Sequence, residues 1–259
     1  MEIQWLGCAG FLIKFGDQVI LVDPYLSRNP AGRPVSLSGP GDMGAASRIF
    51  ISHGHFDHIL DVPGIASQSK AKVYCSRGAS SFLLRAGLEK DQVVIICADK
   101  WEGNFRDLHV RAFFSKHVRF DKYLLLSTLW KMNVRIPRYL PLFYRYPCGQ
   151  VLSWQFLIKD KRIHFFGSAG SSMDELNGLK DAPIDILLIP LQGHSNICDI
   201  AARYVKVLQP KLVIPHHQDD FFPPISFPVD ITPFLKRVKR ESPNTRVKPL
   251  KPNEIFLVD

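Results

Sequence analysis

The order of predicted strands and helices indicates an α/β protein, of the α+β type, in which sheets are sandwiched between helices. Short β-rich runs occur in both halves of the chain, and helical patterns separate those of the second half. The 259 residues, of which 46% are hydrophobic, suffice for a substantial core. We therefore expect one domain across residues 1–259, with a basic and aromatic insertion near residues 118–147.

Strands are predicted where short runs of apolar and β-branched residues stand between turn residues. In the first half these runs cover residues 2–6, 11–15, 18–22, 48–52, 72–75, 93–97 and 109–114. In the second half they cover residues 150–158, 162–166, 184–189, 211–214 and 255–258. Helices are predicted over 79–86, 173–179, 197–208 and 231–241. The last two carry apolar residues at three- and four-residue spacing, as expected for packing on a sheet.

Two segments are predicted to be irregular. Residues 29–44 are rich in Gly, Pro and Ser, which favour a loop. Residues 118–147 combine aromatic and cationic residues, and a long insertion of this kind is often a lid or binding loop. The alternative is an extra packing layer with a solvated basic edge.

The bulk composition narrows the classes of protein. No stretch approaches the length of apolar residues that a membrane span needs, and the first residues lack the pattern of a signal peptide. The five cysteines show no paired spacing, so we expect reduced thiols in a cytoplasmic protein. The net charge of +9 favours anionic partners.

The residues that indicate chemistry are concentrated in His53-Gly-His55-Phe-Asp57-His58. In an extended backbone His53, His55 and Asp57 would project to one side, and a turn at Asp57 would bring His58 to the same region. Imidazole suits zinc and iron, and a carboxylate widens the choice toward manganese. A solvated polar loop is the alternative, which the density of histidines disfavours. The motif predicts a transition-metal site.

Further ligands are expected at the ends of other strands, where a scaffold can direct side chains to a common point. His117, His194 and the pair His216 and His217 each follow a strand-like run. The recurrence of a histidine after a strand predicts that these side chains converge on the motif.

The pattern His-x-His-x-Asp-His at residues 53–58 resembles the signature of the metallo-β-lactamase superfamily. Residues 5–13, 21–26 and 184–190 are similar to other strands and turns of that superfamily. Gly193-His194, together with residues 215–221, is similar to the branch containing the phosphorylated-ascorbate lactonases. The resemblance implies a four-layer αββα sandwich with the site at the shared edge of two sheets.

The resemblance also implies a ligand set and one or two divalent metal ions. Zinc is the default metal, and manganese or iron would fit the same ligands. A first ion would be held by His53, His55 and His117, and a second by Asp57, His58 and His217. His216 would be a structural or supporting residue, although its role could be exchanged with that of His217. Asp23 would orient the ligand imidazoles, unless it only forms the turn before Pro24.

One position departs from the superfamily pattern. Ser168 stands where the superfamily has an aspartate that bridges the two metals. A hydroxyl is a poorer bridge than a carboxylate, so the second ion should bind weakly or be absent unless Asp219, Asp220 or the substrate supplies an oxygen. Cys8 stands where the superfamily often has histidine, but that position is not among the implied ligands.

The activity implied is metal-dependent hydrolysis of a small anionic ester, lactone or phosphoester. Asp57 would orient the nucleophile and accept its proton, and His194 would either donate to the developing oxyanion or leaving group or have a structural role. Arg135 and Arg138 would contact a phosphate or carboxylate of the substrate.

Two alternatives to this activity remain open. One is a phosphodiesterase of phospholipase or nuclease type, and the other is a catalytically degenerate binding protein. Nucleic acid is not expected as a partner, a membrane surface is a lesser alternative, and a homo-oligomer stays open.

Overall fold

The computed structural model describes residues 1–35, 38–132, 141–142 and 144–258, and within these ranges the strands form two sheets of seven strands each. The first sheet has the order β14-β1-β2-β3-β4-β5-β6. Its strands are β1 (Glu2–Gly7), β2 (Gly10–Phe15), β3 (Gln18–Val22), β4 (Arg48–Phe50), β5 (Lys72–Ser76), β6 (Val93–Ile96) and β14 (Ile255–Leu257). Strands β3 to β6 run parallel to one another, whereas β14, β1, β2 and β3 pair antiparallel.

The second sheet has the order β13-β12-β11-β10-β9-β8-β7. Its strands are β7 (Trp101–Phe105), β8 (Leu108–Ser115), β9 (Val151–Ile158), β10 (Lys161–Phe166), β11 (Ile186–Pro190), β12 (Leu212–His216) and β13 (Arg246–Val247). Strands β10 to β13 are parallel, and β7 to β10 are joined antiparallel.

Helices cover the outer face of each sheet. On the first sheet lie α1 (Phe56–Ile59), α2 (Val62–Ser69) and α3 (Arg77–Arg85), and the second sheet is covered by α5 (Met173–Asn177), α6 (Ile197–Leu208) and α7 (Thr232–Glu241). Helix α4 (Lys122–Met132) follows β8, and short 3-10 helices occupy Pro40–Met43 and Lys90–Gln92. No helix in the described part of the chain has the length and apolar character needed to cross a membrane.

Alternating side chains build separate hydrophobic layers. In β2, Phe11, Ile13 and Phe15 enter the core between the two sheets, whereas Leu12 packs toward the helices and Lys14 is exposed. The core between the sheets also contains Trp154, which is fully buried. Buried residues therefore occur on both faces of each sheet, and the predicted four-layer αββα sandwich is confirmed. The expectation of one domain stays a prediction.

Besides the short strand β13 and the two 3-10 helices, which were not predicted, the structure differs from the predicted elements in three places. Helices α1 and α2 were not predicted, because α1 is a single turn and α2 contains Pro63 and Gly64, which are poor helix formers. Strand β7 was missed because it contains Gly103 and Asn104, which are rare in strands, yet it pairs with β8 along its length. Helix α4 lies in the segment predicted to be irregular, where exposed apolar side chains obscure its amphipathic pattern.

Candidate metal centre

The predicted site residues lie just beyond the carboxyl ends of five strands. Asp23 follows β3, His53 follows β4, His117 follows β8, Ser168 follows β10 and His217 follows β12. The strands supply rigid supports, and the short segments that leave them turn the side chains toward one edge of the sandwich. His117, Ser168 and His217 line one cleft together with His55, Asp57 and His58. His194 and His216, which also follow strands, are not among the described residues that line it.

The motif itself changes conformation partway along. The backbone is extended through His55, and α1 begins at Phe56, so that Asp57 and His58 lie in the first turn of a helix. The predicted alternation therefore applies to His53 and His55 but is wrong for Asp57, because the chain turns one residue earlier than expected. Nε2 of His53 lies 3.1 Å from Nδ1 of His55.

A first cluster combines the two motif histidines with His117 and Cys148, and one ligand atom from each lies within 4.8 Å of all the others. The ring centroid of His117 is 5.0 Å from that of His53 and 4.7 Å from that of His55. Cys148 was missed by sequence reasoning, because no spacing links it to a motif that lies far from it in the sequence.

Gly54 explains how Cys148 reaches the motif. The amide of Gly54 donates to the carbonyl of Cys148 at 2.9 Å. A Cβ atom at position 54 would lie only 2.3 Å from the carbonyl oxygen of Pro147. Only glycine allows this close approach, so the segment that ends at Cys148 is held against the metal-binding motif.

A second cluster combines Asp57, His217 and Cys8, whose ligand atoms also lie within 4.8 Å of one another. Oδ2 of Asp57 is 3.3 Å from Nε2 of His217 and 3.6 Å from Nε2 of His58. Sγ of Cys8 lies 3.6 Å from Nε2 of His217 and 3.8 Å from Oδ2 of Asp57. Cys8 was given no role from the sequence, yet the structure places it in this cluster.

The two adjacent histidines after β12 have different surroundings. His217 adopts a positive φ of 61°, and its ring lies beside Asp57. His216 is fully buried between the sheets, where its ring stacks on Phe165 and meets Phe11 edge-on. Burial holds the pKa of His216 well below its ordinary value. This placement fits the structural role expected for His216 and leaves His217 as the candidate ligand.

Asp23 and Ser52 form a hydrogen-bonded support beneath the histidines. Nδ1 of His58 donates to Oδ2 of Asp23 at 2.6 Å, and the Ser52 hydroxyl donates to the same oxygen. That hydroxyl lies 2.9 Å from Nδ1 of His53, so the ring can donate to it in turn. The backbone amide of Ser52 donates to Oδ1 of Asp23 at 2.7 Å. Asp23 therefore orients His58 directly and His53 through Ser52.

These hydrogen bonds fit a bound metal ion. With protons on Nδ1 of His53, His58 and His117, each ring keeps the lone pair of Nε2 for a cation. His117 satisfies its Nδ1 by donating to the carbonyl of Val118 at 2.7 Å. The donor set of imidazoles, a carboxylate and thiols is the one that zinc and similar ions prefer.

Burial also keeps most of the cluster uncharged. It lowers the pKa of His53 far below the ordinary range, that of His55 to about 4, and that of His117 as well. For Asp57, burial acts to raise the pKa, but His58 and a hydrogen bond from His217 lower it below its usual value. The neutral imidazoles of His53, His55 and His117 and the ionised carboxylate of Asp57 can accept a cation at neutral pH without first losing protons. His58 differs, because burial lowers its pKa but Asp57 and Asp23 raise it above the ordinary value.

Ser168 lies in the same cleft, but its hydroxyl has another partner. The backbone amide of Val118 donates to Oγ of Ser168 at 2.9 Å, which fixes the turn that carries His117. The two carboxylates considered as substitutes for a bridging aspartate also point elsewhere. Asp219 accepts from the amide of Cys8 and from Arg28, and Asp220 accepts from the Ser226 hydroxyl at 2.6 Å.

One predicted residue, His194, lies away from this arrangement, and two others lie outside the described residues. His194 is absent from the described residues that line the cleft, and its Nδ1 lies 3.3 Å from Oδ2 of Asp121 and accepts from the amide of Asn196. The structure therefore does not bring His194 to the site, although the adjacent Gly193 lines it. Arg135 and Arg138 lie outside the described residues, so their substrate-binding role stays a prediction.

A cavity of about 380 Å³ opens above the two clusters. Its polar floor includes His55, Asp57, His117 and His217. Most of its wall is apolar and comes from α4, from the segment before Cys148 and from the loop after β12: Phe120, Leu124, Leu125, Leu142, Tyr146, Phe221, Ile225 and Phe227. No lysine or arginine lines the cavity among the residues that the structure describes.

Comparison with known proteins agrees with this geometry. Residues 2–217 match the family model described as beta-lactamase superfamily domain. A metal-dependent hydrolase of Listeria monocytogenes is 32% identical over 232 residues, which cover 85% of this chain and 86% of the relative. A metal-dependent hydrolase of Pyrococcus furiosus is 27% identical over 257 residues, which cover 98% of this chain and 98% of the relative.

A solved structure shares the fold. The metallo hydrolase Igni18 of Ignicoccus hospitalis superimposes on this chain with a TM-score of 0.71 and is 19% identical to it in sequence. The superposition covers 100% of this chain and 99% of the Igni18 chain. The chain belongs to the metallo-β-lactamase superfamily and is a metal-dependent hydrolase of that superfamily.

Proposed function

We propose that the chain hydrolyses an ester, lactone or phosphoester whose non-reacting part is apolar. The observation that carries this proposal is the position of the histidine clusters at the floor of a cavity with an apolar wall. A wall of this kind binds a hydrocarbon group through burial of apolar surface and leaves the polar bond of the substrate at the floor.

The roles of the residues follow from the two clusters. His53, His55 and His117 would hold one divalent ion, and Asp57, His58 and His217 would hold another. When bound, such ions supply an activated water and polarise the oxygen that gains charge during hydrolysis. Asp57 is ionised and lies at the floor of the cavity, so it is the group placed to orient a nucleophile and accept its proton.

The apolar wall changes the substrate class expected from the sequence. The net charge and the basic segment favoured a small anionic substrate, yet the described lining offers an anion no cationic side chain. A small anionic substrate bound by Arg135 and Arg138 is therefore the competing proposal. A lactone remains one of the proposed bonds, in line with the resemblance to the phosphorylated-ascorbate lactonase branch. The free cysteines support a reducing, cytoplasmic location as part of the same proposal.

A second candidate function is a phosphodiesterase that takes its substrate from a lipid surface. It is favoured by the outer face of α4 and its flanks, where Tyr123, Leu126 and Trp130 are 81%, 65% and 83% exposed. Exposed cations accompany them at Arg119, Lys122, Lys131 and Arg145. Aromatic and cationic residues on one surface are typical of contact with anionic headgroups. Co-sedimentation with anionic vesicles at low salt tests this candidate, and a Trp130→Ser and Tyr123→Ser double variant should lose binding.

A substrate series tests the leading proposal. The metal-loaded protein is assayed with aryl esters and with lactones of increasing alkyl length, beside short esters that carry a carboxylate or phosphate. Each methylene that enters the cavity should raise kcat/KM by about fourfold, because its burial contributes about 0.8 kcal/mol. A His53→Ala variant is the inactive control. A preference for the short charged substrates would contradict the apolar cavity and favour the anionic proposal.

A further inference from the structure

We propose that Cys8 is a metal ligand that acts with Asp57 and His217 and supplies the negative charge that Ser168 does not. The inference rests on the proposed metal-dependent function and adds a residue to the second cluster. It also favours zinc over manganese at that position, because a thiolate is a soft ligand.

The sulfur atom of Cys8 lies close to the other two side chains of the second cluster. Cys8 is fully buried in the turn between β1 and β2, and Sγ faces both nitrogens of His217, at 3.8 and 3.6 Å. Sγ also lies 3.8 Å from Oδ2 of Asp57. One carboxylate, one imidazole and one thiol meeting in a buried position form the kind of donor set that binds zinc.

The backbone of Cys8 is strained and is held in place by hydrogen bonds. Cys8 has a φ of 49° and His217 a φ of 61°, both in a region that favours glycine. The two residues are joined, because the amide of His217 donates to the carbonyl of Cys8 at 2.8 Å. The amide of Cys8 donates to the carboxylate of Asp219, which also pairs with Arg28. Strained residues that are held from several sides in this way are typical of functional sites.

The other side chains that could take the place of a bridging aspartate already have partners. The Ser168 hydroxyl accepts from Val118, Asp219 is paired with Arg28, and Asp220 accepts from Ser226. Among the described residues, the cluster of Asp57 and His217 contains one further ionisable side chain, the thiol of Cys8, and this thiol can become anionic. Binding would form a sulfur–metal bond, break the S–H bond and release the thiol proton to solvent.

Cobalt substitution tests the proposal without an activity measurement. The full chain is loaded with Co²⁺, and the near-ultraviolet thiolate-to-metal charge-transfer absorption is recorded for the wild type, for Cys148→Ser and for the double variant Cys8→Ser with Cys148→Ser. Cys148 is the thiol of the first cluster, so its replacement removes its own contribution to the absorption and leaves that of Cys8. Bound metal per chain is measured on the same samples by mass spectrometry.

We expect the absorption in the wild type and in Cys148→Ser, and its loss in the double variant together with about one metal equivalent. Ser168→Asp added to the double variant should restore the lost equivalent but not the absorption, because a carboxylate then supplies the charge. Absorption retained in the double variant, or metal bound by Cys148→Ser without absorption, would overturn the role of Cys8. Failure of the wild type to bind any metal would instead overturn the proposed function.

A second measurement avoids the risk that Cys8→Ser fails to fold. Zinc-edge X-ray absorption on Cys148→Ser counts the sulfur neighbours of the bound zinc while Cys8 is intact. Sulfur in the zinc coordination shell supports the proposal, and a shell of nitrogen and oxygen alone overturns it.

Discussion

Nδ1 of His58 donates to Oδ2 of Asp23 at 2.6 Å, and both side chains are buried. This hydrogen bond joins the end of β3 in the first sheet to the helix that starts within the metal-binding motif. It fixes the proton of His58 on Nδ1, so that Nε2 faces Asp57 as a potential ligand.

Replacement of Asp23 by asparagine should therefore weaken metal binding. An amide can donate toward Nδ1, which favours the tautomer with its proton on Nε2 and removes the lone pair that faces the metal position. We expect a loss of affinity of about 10–100-fold, measured by competition with a chromophoric chelator. Asp17→Asn, in the exposed turn between β2 and β3, is the control. Equal affinities for the two variants would mean that Asp23 only forms a turn.

A different prediction concerns the buried ion pair of Arg28 and Asp219. Nη1 of Arg28 lies 2.7 Å from Oδ2 of Asp219, and their side chains are 4% and 2% exposed. Asp219→Asn leaves the guanidinium without its counter-charge, which should lower the free energy of unfolding by about 3–5 kcal/mol. Urea denaturation of the metal-free protein measures this loss. Lys206→Ala, which removes an exposed pair with Glu241, should leave the midpoint unchanged.

Much of this site could be predicted from the sequence, and the reasons are local. The six-residue motif and the histidines that follow strands needed only strand assignment, because a strand end directs the next residues to the sheet edge. Ser168 was recognised as a departure from the family pattern by its place after β10. His194 could not be excluded in this way, since it also follows a strand, and only its contact with Asp121 reveals its position.

The missing parts depend on long-range contacts. Cys148 reaches the first cluster because its backbone carbonyl binds Gly54, and Cys8 reaches the second because its carbonyl accepts from His217. Neither contact leaves a spacing that can be read in one sequence. The apolar cavity was also missed, because aromatic residues in a basic segment gave no indication of which side chains face inward.

Helix α4 offers a matched pair of leucines to test the cavity. Leu124 is 7% exposed and lines the cavity, whereas Leu126 is 65% exposed on the same helix. Leu124→Ser should remove about 1–2 kcal/mol of apolar contact with long-chain esters, which lowers kcat/KM for these esters by roughly five- to thirtyfold. The same change at Leu126 should have little effect. Equal losses in both variants would place the substrate outside the cavity.

The acid sensitivity of folding should depend on His164, which lies away from the metal centre. His164 is fully buried beside Phe166, with Nε2 3.2 Å from the Ser153 hydroxyl, and burial lowers its pKa to about 3. An unfolded histidine titrates near 6.5. Between these two values the unfolded state binds more protons than the folded state, so stability falls as the pH falls.

From pH 7 to pH 5 this single group should lower the free energy of unfolding by about 2 kcal/mol. His164→Gln keeps a hydrogen-bond donor for Ser153 but does not titrate, so its stability should change less over the same interval. Urea denaturation of both metal-free proteins at the two pH values gives the difference. Other buried histidines contribute equally to both proteins and cancel. Parallel losses in the two proteins would mean that His164 is protonated in the folded state at pH 5.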